Sequence, residues 1–317
     1  MADTLNKLNA ANYIAVKVTD NPIANGNNLL AAYNLAKSTN PNGLAKSATN
    51  RVNIILPVAI YDLGTQSLTL DAQFINIIGS TNNRDNHYIK SNVGVTNRGT
   101  IIQTANNVRL QNLTIENTNT SYSTYTRSSS DPTAYFPSSN LNLTYIENVR
   151  FLANDINVFS MRTHNIEYSG TYINCTGGIY AFGGGQGDGI FNKTNGILSG
   201  IFTNCTGGNF SFGGGFFLGN GGTLTGTFTN CTGGDYSFGS GQFEVYLVTG
   251  TFINCTGGAW SFASGPNSNS PGTVTATFID CIGGDYSFGN TGVTGTSINY
   301  SLTIQNCIGG QGSFGGA

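Results

Sequence analysis

One block, GTFTNCTGGDYSFG at residues 226–239, constrains this chain more than any other feature, because it returns along the whole C-terminal half. Its relatives read GTYINCTGGIYAFG, GIFTNCTGGNFSFG, GTFINCTGGAWSFA, ATFIDCIGGDYSFG and LTIQNCIGGQGSFG. Within each block, segments such as TFTN and DYSF alternate at period two, which is a strand pattern, and the glycine pair between them is a turn pattern. No helical periodicity interrupts a block. Short strands and tight turns repeated roughly every 26 residues predict one elongated all-β unit. The expected fold is a single-stranded right-handed parallel β-helix, or β-solenoid, with one block per coil and equivalent positions about 4.8 Å apart.

Aligning the blocks gives three columns. The first is polar: Asn174, Asn204, Asn230, Asn254, Asp280 and Asn306, extended towards the N-terminus by Asn76, Asn112 and Asn148 in FINII, LQNLTI and IENVRF. An asparagine ladder is expected here, its amides pointing inward at a bend and bonding to one another and to turn backbone. The second column is Cys175, Cys205, Cys231, Cys255, Cys281 and Cys307, and the third is Phe182, Phe212, Phe238, Phe262, Phe288 and Phe314. The cysteine spacing lacks the close pairs of zinc sites, and parallel Cβ vectors one rung apart do not favour disulfides. They are expected to be free, buried thiols, with no metal and no cofactor.

Composition narrows the function. Charged residues make up 9% of the 317, against about a quarter in ordinary globular proteins, and no Lys or Arg follows Lys193. A formal net charge of -2 and no basic run argue against nucleic acid. The start, MADTLNKLNAANY, has no apolar signal-peptide region, and no apolar run is long enough for membrane insertion. Residues 21–38, NPIANGNNLLAAYNLAKS, predict a short amphipathic helix with Asn27 or Asn28 as N-cap. The expected organisation is an N-terminal segment, 1–50, whose helix caps the first coil, and a β-helix over 51–317. An insertion loop is expected at 117–140 and regular coils over 170–317. At the other end the chain stops inside a repeat with no capping segment, so the last coil is expected either to dock onto a partner or to continue into a longer fibre.

After the helix come RVNIILPVAIYDLG, SLTLDAQFINIIGS and TIIQTANNVRLQNLTIENT. Helix, ILP, LG, LD and IIG in this order, with the asparagine column, resemble the pectin lyase-like β-helix superfamily over about residues 20–317. The low charge, the Gly, Asn, Thr and Ser richness and the NCTGG-type repeats are similar to bacteriophage tail-spike and tail-fibre β-helix proteins. That resemblance implies a virion protein acting outside the cell on a host-surface polysaccharide. Its implied partners are other virion proteins and further copies of itself, a trimer first. The superfamily holds both enzymes and non-catalytic spikes, so fold alone assigns no activity.

Two segments carry candidate site residues. In YIENVRFLANDINVFSMRTHNIEYSG, Glu147, Arg150, Asp155, Arg162, His164 and Glu167 supply the acid, base and cation of a lyase or glycosidase site. They equally suit a solvated face with salt bridges. In the expected insertion loop, Tyr122, Tyr125, Tyr135 and Phe136 suit stacking on sugar rings. Asp235 and Asp285 share one repeat position, which also holds Asn209, Ala259 and Gln311 and so reads as a tolerant turn site. Three functions follow: a structural and adhesive fibre that binds glycan, a polysaccharide-degrading spike, and an ice-binding solenoid. The ice-binding reading rests on outward threonine rows such as Thr227, Thr251, Thr277 and Thr303.

Overall fold

The computed structural model describes residues 12–94, 99–119, 133–137, 141–153, 167–179, 181–182, 185–186, 197–213, 215–216, 223–240, 247–264, 273–289 and 299–314. The elements, in chain order, are β1 (Tyr13–Ala15), α1 (Pro22–Ser38), β2 (Val52–Leu56), β3 (Ala59–Asp62), β4 (Leu68–Leu70), β5 (Ile75–Gly79) and β6 (His87–Ser91). Then follow β7 (Gly99–Gln103), β8 (Arg109–Asn117), β9 (Thr133–Pro137), β10 (Leu141–Ala153), β11 (Glu167–Ile173) and β12 (Gly185–Gln186). The last are β13 (Ile197–Thr203), β14 (Gly215–Phe216), β15 (Thr223–Thr229), β16 (Leu247–Ile253), β17 (Thr273–Ile279) and β18 (Asn299–Gln305). The main sheet runs β1-β2-β5-β8-β10-β11-β13-β15-β16-β17-β18, and its pairs are parallel. This is a parallel β-solenoid, as the repeat predicts, with one α-helix among the described residues, at 22–38 as residues 21–38 predict.

Register follows the repeat residue by residue: Thr171, Ile201, Thr227, Thr251, Thr277 and Thr303 stand side by side. One inward row changes character along the rod. It begins with Ile54, Ile77, Leu110 and Ile146 and continues as Tyr172, Phe202, Phe228, Phe252 and Phe278. The phenylalanine column beside it is buried from Phe182 to Phe288. Rings within each column stack, for example Phe212 on Phe238 at 4.8 Å and Phe228 on Phe252 at 4.8 Å. Across the columns they meet edge to face, Phe228 to Phe238 at 6.2 Å. Both arrangements suit the aromatic quadrupole, and each pair contributes about 0.5–1.5 kcal/mol beyond the burial itself.

Left-handed backbone turns each coil from β8 onward. Asn112, Asn148, Asn174, Asn204, Asn230, Asn254 and Asn306 have φ between 52 and 57°, and Asp280 has 54°. Asn and Asp tolerate this region better than other side chains because their short polar groups bond locally. The amides are joined in a row, Asn204 Nδ2 donating to Asn174 Oδ1 at 3.1 Å, Asn230 to Asn204 at 3.0 Å and Asn254 to Asn230 at 2.9 Å. Asn148 donates to Asn112 in the same way at 2.9 Å.

Two expectations about this column are corrected. From Asn174 to Asn306 its residues are exposed, so the amides lie on the outside of the corner; the interior place goes to the following cysteine. Asn76 is not a member, because Ile78 pairs with Gln111 and the corner position of that coil falls to Gly79. The cysteines from Cys175 to Cys281 are free and fully buried, and Cys307 is half-buried.

The helix forms where expected, but its N-cap is Asn21, whose Oδ1 accepts from Ile23 N and Ala24 N at 2.9 and 3.2 Å. Pro22 takes the first helical position, where its missing N–H costs nothing. Asn27 and Asn28 lie inside the helix. The helix packs along β3, with Asn25 Nδ2 donating to Ile60 O at 3.1 Å, while β1 pairs with the outer edge of β2. Part of the expected insertion loop is instead a coil strand, since β9 pairs with β7.

Candidate binding groove

The asparagine corner divides the long strands β8 and β10. Before it, β8 pairs with β5, and after it with β6. The segments before the corner build a groove. Arg109, Tyr145, Thr171 and Ile201 are neighbours in register, one from each successive coil. A hollow of about 490 Å³ lies here, lined by these four with Arg51, Leu143, Thr144, Ser169 and the backbone of Gly170 and Gly200, among others. Leu143 and Ile201 are 68% and 51% exposed and give it apolar sides. Leu143 stands at φ 54° beside a register shift between Leu141 and Thr144. Gly200 has φ 136°, and a Cβ there would lie 2.0 Å from Gly170 O, so only glycine permits the coils to approach at this point.

Two arginines line this hollow. Arg51 Nε donates to Asn76 Oδ1 at 2.7 Å, and its Nη2 donates to Asn107 O. Asn76 is in turn held by donating to Asn53 Oδ1 at 2.6 Å. Arg109 lies over the Tyr145 ring, 5.3 Å from its centroid. Burial, with the like charge of Arg109 behind it, pushes Arg51 down to about 10. Among the described residues the ion pairs are Lys37–Asp71, Lys90–Asp62 and Arg150–Asp85, and neither groove arginine belongs to one.

Of the acid, base and cation candidates of the sequence, the side chains of Glu147 and Arg150 are described, and they make separate contacts. Glu147 Oε2 accepts from Gln111 Nε2 at 2.6 Å and from Tyr145 Oη at 3.0 Å, beside the groove. Burial, followed by this bond to Glu147, pushes the Tyr145 phenol up. Arg150 lies beyond the corner, where it pairs with Asp85 at 3.1 Å. Asp85 also accepts from Thr114 Oγ1 at 2.8 Å, and Arg84 Nη1 donates to Asn174 O at 3.1 Å. Arg150 therefore helps to clamp the segment before β6 across the corner. Asp155, Arg162 and His164 lie outside the described residues; Glu167 begins β11, and only its backbone is described.

The proposed sugar-stacking set is corrected in part. Tyr135 and Phe136 are buried strand residues, 0% and 8% exposed, and Tyr135 Oη donates to the buried Gln103 Oε1. Their alternation reads as coil strand once β7 is seen beside them. Tyr122 and Tyr125 lie outside the described residues. Asp235 Oδ1 accepts from Ala259 N and Asp285 Oδ1 from Gln311 N, both at 2.8 Å, so these carboxylates tie one coil to the next.

Arg51, Arg109 and Asp85 are site residues that the sequence candidates do not include. Arg109 was within reach: it stands three residues before Asn112, as Tyr145 stands before Asn148 and Thr171 before Asn174, so the alignment already sets them side by side. Arg51 and Asp85 come from less regular segments and carry no such signal.

No protein family and no curated protein matches the chain. Solved structures similar to it include the pectin methylesterase PemA from Erwinia chrysanthemi, 12% identical over 87% of this chain and 79% of that one, with a TM-score of 0.41. ORF18 of Geobacillus virus E2 is 12% identical over 97% of this chain and 62% of that one, at 0.47. A rice weevil pectin methyl esterase is 13% identical over 93% and 90%, at 0.39. Likeness at this level assigns no activity to the chain. Strand pairing alone makes it a parallel β-solenoid, the fold that its resemblance to the pectin lyase-like β-helices implies.

Proposed function

We propose that the chain is the stiff, glycan-binding part of a virion spike or fibre. The observation that carries this reading is the groove. It joins hydroxyl groups, an aromatic side chain and two cations on a sheet whose coils are locked in register, a rigid concave site suited to a polyhydroxylated ligand. Glu147 and Arg150 are engaged in separate structural contacts, which speaks against bond cleavage by these two side chains. On this reading the protein acts outside the cell on a host-surface polysaccharide, with other virion proteins and further copies as partners. The charge-poor, repeat-rich sequence supports that placement.

The test is a glycan array probed with the full chain, followed by assay of each retained glycan for new reducing ends or unsaturated products. Retention without product is expected. Release of product would replace the adhesin by a degrading spike, and an array with nothing retained would overturn the reading.

A second reading, ice binding, draws on the registered row Thr227, Thr251, Thr277 and Thr303. Ile201 interrupts that row, and Ile253 and Ile279 interrupt the next, which weakens the match to a flat lattice. Thermal hysteresis in the absence of glycan retention would favour it.

A further inference from the structure

We infer that the groove recognises an oxyanion carried by the glycan, a carboxylate or a sulfate ester, through Arg51 and Arg109. The inference rests on the glycan-binding reading and names the chemistry of that site. Few cations are present, 13 Lys and Arg in 317 residues, yet two stand together here without a carboxylate partner among the described residues. Placing like charges side by side costs energy, which a bound anion would offset. Arg51 is already fixed: Asn76 and Asn107 take two of its five N–H donors and leave three for a ligand. Arg109 is laid over Tyr145. Guanidinium groups held in this way present N–H forks to two oxygens of an oxyanion and lose little freedom on binding. The neighbouring carboxylate, Glu147, is occupied by two donors.

The experiment uses the full chain labelled with nitrogen-15 at arginine, titrated with sodium glucuronate, glucose and sodium sulfate while the guanidinium resonances are followed. Arg109→Gln, an exposed substitution checked by circular dichroism, assigns one of them. Saturable shifts of the Arg51 and Arg109 signals with glucuronate or sulfate but not glucose are expected, and the stronger of the two ligands identifies the oxyanion. In Arg109→Gln the remaining Arg51 response should weaken by about tenfold or more, the effect of losing one charge-assisted contact. No shift with either anion, shifts equal to those with glucose, or responses confined to other arginines would overturn the inference. Because the array reports glycan retention independently, a blank titration with a positive array refutes the oxyanion alone. A blank array with anion-induced shifts refutes the glycan reading and leaves a bare anion site.

Discussion

At the residue scale the corner asparagine answers two demands at once. Its backbone is left-handed, and its amide bonds to the amide above and below; Asn230 shows both, with φ 54° and bonds of 3.0 and 2.9 Å to Asn204 and Asn254. The account predicts that Asn230→Gly costs about 1 kcal/mol, since glycine keeps the backbone and loses only exposed bonds. Asn230→Val, β-branched and unsuited to this region, should cost about 2–4 kcal/mol. Urea unfolding of the pair checks this, and equal losses would mean that the corner does not depend on left-handed geometry. The column was legible in the sequence, but its side was not, because residue spacing fixes which positions stack and says nothing of φ. Beside it, burial pushes the Cys175 thiol up, which lowers its thiolate fraction near neutrality. A thiol reagent should label half-buried Cys307 first in the native protein and the five fully buried cysteines only on unfolding. Rapid native labelling of several would contradict the core described above.

At the element scale the regular coils were legible and the irregular ones were not. The period-two alternation placed β13 and β15–β18 directly, because each is nearly a copy of the last. β9 escaped because its strand pattern is hidden in a polar segment, and only pairing with β7 reveals it. The clamp before β6 was equally hidden, since Asp85, Thr114 and Arg150 lie in three separate elements or connections. Asp85→Ala should cost about 1–2 kcal/mol, most of it from leaving the buried Thr114 hydroxyl without its charged acceptor. The half-exposed ion pair with Arg150 adds little. Thermal unfolding reads the loss. A matching loss in Thr114→Val, with no further loss in the double variant, would assign it to that bond, and additive losses would assign it elsewhere.

At the scale of the whole molecule, stability in the regular coils from β11 onward is a sum over coils and the contacts between neighbours, because each strand there pairs with the one before and the one after. Solenoid architecture was legible because that same repetition is written in the sequence. The groove was only half legible: Arg109 and Tyr145 follow from alignment, whereas Arg51 arrives from the connection before β2 and needs the fold to be placed. Removing one whole coil should therefore be tolerated. Deletion of residues 231–254 joins Asn230 to Cys255 at equivalent corner positions and sets β15 against β17 in unchanged register. Deletion of residues 231–242 removes half a coil and turns every later inward row out of register. Denaturant unfolding of the two shortened chains, read by far-ultraviolet circular dichroism, tests the stacked-coil account most directly. A cooperative transition close to the parent's for the whole-coil deletion, and its loss for the half-coil deletion, is the predicted result; equal damage from both would contradict it.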